Sequence, residues 1–333
     1  MTISKIRHSI LSLLAIGILG VCLSACGGAS YDKGDLDQNG IFRFEKVLFD
    51  TPAEQLQGAL LKTPYKGRLI NIYPNDPRYM EQVMGFTHDE IIRQTYDCIK
   101  QEYDDLSWLE KDLRSALDRA HNLDDEVNIT KVSTFLTGQF DYESRTWAEG
   151  DELLISLDVY VLPKMEQYGY FGIPLYLVKL CRKEYLLSDC MTVVARNLVK
   201  MPDTQQPTLL DMMVMEGKAM YVVNQSLPNV ADTIKLRYSK GQLDWMVKNE
   251  KNVWAYMMQE QLLFETDHNR FHNLTDEAPC TNAFGSESAP RSAAFIGWHI
   301  VTDYMDKTGA SVKQLMDETD SQKILKQSGY KAR

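Results

Sequence analysis

The sequence predicts a mostly helical α+β protein with a small β-sheet, on three observations. Apolar residues recur at spacings of three and four over 103–120 and again through much of 184–328, the period of buried helix faces. Between those stretches, 127–140 and 152–161 are rich in Val, Ile, Leu, Phe, Tyr and Thr, the composition of strands. The polar connections are short, which favours one compact unit over residues 41–333 rather than two independent domains.

The chain begins as an export signal. Lys5 and Arg7 precede an apolar run from Ile10 to Leu23, and Leu23-Ser24-Ala25-Cys26 closes it. Charge, a short apolar core and small residues before a cut define a signal peptide, and the run is shorter than the roughly 20 residues of a membrane span. Cleavage between Ala25 and Cys26 leaves a cysteine whose thiol can carry a diacylglycerol. Stable anchoring takes more than one acyl chain, and a triacylated Cys26 meets that condition. Residues 1–25 are therefore expected to be a lipoprotein signal peptide and 26–40 a lipidated tether, with Gly27, Gly28, Ala29 and Ser30 flexible. Within the tether, Asp35, Asp37, Asn39 and Gly40 match positions 1, 3, 5 and 6 of a calcium loop. Position 12 is Lys46 instead of a bidentate Glu, so a solvated linker is the reading.

Helices follow. Thr51-Pro52-Ala53-Glu54 offers an N-cap, Pro at the first turn and an acid three residues on, which opens a helix toward Leu61. Thr87 and Glu90 repeat the pattern before Ile91 and Ile92. Over 103–120, Tyr103, Leu106, Leu109, Leu113, Leu117 and Ala120 form one buried face, with Glu110 and Arg114 an i,i+4 pair outside it. Strands are expected over 127–140 and 152–161, the second ended by Pro163. Helices are then expected over 184–200, 208–224, 242–264, 291–307 and 311–328.

Charge narrows the function. The whole chain carries −10; residues 1–25 hold Lys5 and Arg7 and no acids, so the remainder carries −10 − 2 = −12. That balance, with no basic stripe, argues against nucleic acid as a partner. Cys98, Cys181, Cys190 and Cys280 lack the paired spacing of a zinc knuckle; disulfides and buried free thiols both remain open for an exported chain.

One segment suggests chemistry. In Thr208–Pro228, Glu216 sits among Leu209, Leu210, Met213, Val214, Ala219 and Met220, where a carboxylate needs a partner. Glu216-Gly217-x-Ala219 is also how one group of zinc peptidases presents its third ligand. Those enzymes need H-E-x-x-H on a preceding helix, and residues 122–267 contain no histidine. Glu216 is therefore expected to hydrogen-bond internally, with no metal and no cofactor. His268 and His272 have the i,i+4 spacing of a metal pair, but their polar frame, DHNRFHN, reads as a surface loop. Cys190 with a distant His forms no recognisable nucleophile–base motif.

RFEKVLFD (43–50), LLISLDVYV (153–161), TLLDMMVMEGKAMYVVNQSLP (208–228), NVWAYMMQEQLLFETD (252–267), AAFIGWHIVTDYM (293–305) and KILKQSGYK (323–331) together resemble the GldB lipoproteins of gliding bacteria, in the family's order from Ile41 to the C-terminus. The chain departs from the family pattern after Pro279, where Cys280 replaces an aromatic, and at Ser292–Ala294, where a glycine is usual. The resemblance implies a zincin-like single domain related to zinc peptidases, of whose signature Glu216, Gly217 and Ala219 remain. It also implies a lipoprotein anchored in the outer membrane, with the periplasmic face favoured, that supports gliding or type IX secretion through envelope protein partners. The expected function is thus non-catalytic. The alternative is a zinc-dependent metallopeptidase with an atypical site.

Overall fold

The structure, a computed structural model, describes residues 40–63, 72–165 and 168–333. The signal peptide, Cys26 and all of the tether but Gly40 lie outside the described residues. Contacts group the chain into two compact units: one takes residues up to Lys111 with 128–174 and 181–183, the other 112–127, 175–180 and 184–333. The chain passes between the units inside a helix, at Lys111–Asp112, rather than through a linker.

The first unit opens with β1 (Phe42–Arg43), α1 (Phe44–Asp50) and α2 (Ala53–Lys62), followed by α3 (Pro77–His88), α4 (Glu90–Tyr103) and the start of α5 (Ser107–Leu123). It then holds β2 (Lys131–Phe135), β3 (Thr146–Glu149), β4 (Glu152–Ser156) and α6 (Leu157–Tyr160). The sheet order is β1-β2-β4-β3. β1 and β4 run parallel to β2, and β3 pairs antiparallel with β4. β4 is buried along its whole length, as a central strand should be.

The α+β class is as the sequence predicts, but several boundaries differ. Strand structure covers 131–135 of 127–140 and 152–156 of 152–161. The reason is Asp158. Its buried carboxylate accepts from the Thr137 hydroxyl at 2.7 Å, from the Gly138 and Phe140 amides at 3.0 and 3.4 Å, and from Ser156. That cradle turns the chain after β2, with Gly138 and Phe140 at positive φ, and starts a helical turn where the apolar run alone allowed a strand. The α4 cap is Asp89, whose carboxylate accepts from the Ile91 and Ile92 amides, whereas Thr87 bonds back to Met84 O within α3. α2 begins at Ala53 without a side-chain cap, so Thr51 does not cap it.

The second unit contains the rest of α5, α7 (Leu175–Val178), α8 (Lys183–Leu198, from Glu184 onward), α9 (Leu209–Ser226), α10 (Asp232–Leu236) and α11 (Lys240–Gln259). It continues with α12 (His268–Thr275), α13 (Ser292–Thr308), α14 (Val312–Asp317) and α15 (Ser321–Ser328). Its centre is the crossing of α9 and α13, two helices with most residues buried. Gly217 of α9 and Gly297 of α13 meet there. A Cβ added at 217 would lie 2.2 Å from Gly297 O, and one at 297 would lie 1.9 Å from Met213 O. Only hydrogen at both positions permits the approach.

The expected helix over 311–328 is two helices. Glu318 O accepts from the Lys218 ammonium, and Asp320 caps the next helix by accepting from the Lys323 amide, so the chain breaks between them. The His268–His272 stretch is helical rather than looped. Asp267 caps it by accepting from the Asn269 amide, a start signal masked by the polar composition around it. Among the described residues, no disulfide joins any two of Cys98, Cys181, Cys190 and Cys280. No helix among the described residues is long and apolar enough to cross a membrane.

Candidate functional site

Glu216 is set by α9. Thr208 and Asp211 close a capping box at its start, and the Leu209 and Leu210 amides donate to Glu265 O and Leu263 O. With that end fixed, Leu209, Leu210, Met213, Val214, Gly217 and Met220 face the core and Glu216 falls at its border, half-buried. Two arginines reach it. Arg196 of α8 donates to Glu216 Oε2 at 2.9 Å, and Arg291 donates to the same oxygen at 3.2 Å. Burial opposes the Glu216 charge, and the two guanidiniums outweigh it, holding the carboxyl below its ordinary pKa.

The pairing extends into a network. Arg291 lies 3.5 Å from Glu277, Arg237 lies 4.0 Å from the same Glu277 oxygen, and Arg237 donates to Asp189. Asp189 and Arg196 stand seven residues apart on α8, two turns along one face, so the network starts and ends on that helix. Three carboxylates (Asp189, Glu216, Glu277) balance three guanidiniums (Arg196, Arg237, Arg291). Arg237 and Arg291 both adopt positive φ, at 62° and 49°, a conformation that side chains disfavour and that packing and ion pairing hold here. Arg237 and Asp189 are both buried, where losing one partner costs about 3–5 kcal/mol.

This donor set does not fit zinc. Glu216 Oε2 is engaged by two cationic groups, and α8, the helix that precedes α9, presents Arg196 and carries no histidine. Gly217 is accounted for by the helix crossing, and Ala219 is buried in the core. The structure therefore places Glu216, Gly217 and Ala219 side by side on α9 but gives only Glu216 charged partners. Cys26 and Ala25 lie outside the described residues. Among those residues, no three His, Cys, Asp or Glu side chains are arranged to hold a metal. His268 instead pairs with Asp276 at 3.0 Å, and the His272 Nδ1 bonds to Asn269 O.

Two buried polar centres escaped the sequence reading. Lys218 is almost wholly buried and donates to Glu318 O; burial pulls its pKa down to about 8 against the opposing pull of Glu318 and Asp317. Glu250 of α11 is buried and accepts from His299 Nδ1 at 2.9 Å and from the Tyr330 hydroxyl at 2.6 Å. Burial opposes the Glu250 charge, but those two bonds lower its pKa; burial and Glu250 together raise that of Tyr330. Each centre joins residues 31 or more positions apart, a distance no local motif spans, although a lysine set between Gly217 and Ala219 was a visible oddity.

The family model described as "Gliding motility protein GldB" matches residues 35–332. No curated protein and no solved structure matches the chain. The matched span takes in both units and every residue of the ion network, and the chain belongs to the gliding motility protein GldB family.

Proposed function

We propose that this GldB-family chain is a non-catalytic lipoprotein of the cell envelope, held at the periplasmic face of the outer membrane by lipids on Cys26, and that it supports gliding or type IX secretion machinery by binding protein partners. The observation that carries this reading is the double arginine engagement of Glu216. A carboxylate held through one oxygen by two guanidiniums anchors a scaffold; the two positive charges disfavour a dication beside it and lower its basicity toward water. The acidic composition and the absence of a basic stripe support a protein partner over a nucleic acid.

Complementation tests it. In a gliding host lacking its own copy, the Glu216→Gln chain is expected to restore gliding whenever its steady-state level matches wild type. Gln keeps the size and accepts one hydrogen bond, so the variant loses about 1–2 kcal/mol of stability through the weakened pairing of Arg291. A stable, normally abundant Glu216→Gln protein that fails to restore gliding would favour an atypical zinc-dependent peptidase.

A further inference from the structure

The geometry points to a contact with the membrane made by the folded body itself: one edge of α11 docks on the anionic headgroup layer of a phospholipid bilayer. Val247, Lys251, Trp254 and Met258 follow one another at intervals of four, three and four residues, so they fall on a single stripe of a helix that turns about every 3.6 residues. The buried residues of α11, Met246, Val253 and Met257 among them, lie to one side of that stripe. Val247 and Met258 are 56% and 52% exposed. One such side chain alone would be ordinary; here two flank an aromatic ring and a lysine on the same stripe. Trp254 is half-buried, with its ring edge-on to Tyr330 at 5.1 Å between centroids. The Tyr330 hydroxyl is fixed on the buried Glu250, which brings the next residue, Lys331, to the same edge.

Charge selects the occupant. The chain carries −10, yet Lys248, Lys251 and Lys331 are exposed and make no ion pair among the described residues. Of the two acids on α11, Glu250 is buried and bonded to His299 and Tyr330, and Asp244 stands one turn from Lys240. At physiological salt a charge is screened beyond about 8 Å, so an anionic surface touching this edge meets the lysines rather than the net charge of the body. Lysines with apolar stems, rings with polar edges and single apolar side chains suit a headgroup layer, where each settles at its own depth. A protein helix packed on the same stripe would bury Lys251 at its centre and need a carboxylate aimed at it. The contact goes beyond the lipid on Cys26, because it is read from the second unit alone.

The test incorporates the full chain, purified from membranes, into vesicles of phosphatidylcholine brominated near the headgroup end of its acyl chains, alone or with about 30% phosphatidylglycerol, and reads tryptophan emission and co-sedimentation. The chain has five tryptophans, so the difference between wild type and Trp254→Phe isolates Trp254. Trp254 is expected to be quenched in the vesicles with phosphatidylglycerol. That quenching is expected to be lost in phosphatidylcholine alone and in roughly 1 M salt, where the screening length falls to about 3 Å. Lys248→Gln combined with Lys251→Gln, both at exposed positions, is expected to weaken the contact by about tenfold or more and abolish the Trp254 signal. Sedimentation with both kinds of vesicle but no quenching of Trp254 would overturn the docking edge and leave the lipid anchor intact. Quenching in a chain that sediments only with the anionic vesicles would support the edge and refute the anchor. Equal quenching in wild type and Trp254→Phe, or quenching unchanged by the lysine substitutions, would overturn the assignment. An unquenched Trp254, in a protein whose Lys248→Glu and Lys251→Glu form abolishes gliding at normal abundance, would overturn it in favour of an acidic protein partner.

Discussion

Lys218 shows how a single side chain can record its surroundings. An ordinary lysine has a pKa of 10.5, and this one is brought to about 8 by burial. Between those values the unfolded chain holds a proton that the folded chain has released, so stability rises with pH across the window. Wild type is therefore expected to gain on the order of 2 kcal/mol relative to Lys218→Met between pH 8 and 9.5, read as the difference in urea midpoints. A constant difference over that range would show that the amine titrates normally. Glu216 behaves in the opposite sense. Its depressed pKa contributes stability that is present above the ordinary carboxyl value of 4.5 and fades as pH falls through the lower folded value. The need for a partner at Glu216 was legible, because a carboxylate in an apolar frame demands one. The partners were not, since Arg196 and Arg291 lie 20 and 75 residues away and nothing local marks either as a ligand.

At the scale of elements, helical periodicity located most helices after residue 180 to within a few residues, and the misses have particular causes. Where a side chain from elsewhere takes a backbone carbonyl, as Lys218 does at Glu318, a continuous apolar pattern splits. Where a buried carboxylate gathers amides, as Asp158 does, a strand stops early. The α9–α13 crossing is the element contact most exposed to substitution. Gly217→Ala is expected to destabilise by about 3 kcal/mol, because its Cβ would meet backbone that cannot turn aside as a side chain can. Gly58→Ala in α2, with open space around it, is expected to be neutral or to stabilise by up to about 1 kcal/mol. Chemical denaturation of both variants checks the pair. Similar midpoints for the two would mean that the helices do not pack through their glycines.

For the whole molecule, the family match over residues 35–332 joins a folded, acidic body to a gliding motility family, while the expected attachment rests on one residue ahead of it. Cys26→Ala is expected to leave a folded chain that no longer partitions with membranes on fractionation. A variant found wholly in the membrane pellet would contradict a lipid anchor at Cys26. The mostly helical α+β class and the family were legible from apolar periodicity and six ordered segments. The ion network was not, because it forms only when α8, α9, the turn after α10 and the segment before α13 come together. Glu216 answers either to arginine or to metal. Elemental mass spectrometry of the purified chain after mild dialysis decides between them most directly. The network predicts zinc at trace level, unchanged in Glu216→Ala; near-stoichiometric zinc that disappears in Glu216→Ala would contradict it and restore the peptidase reading.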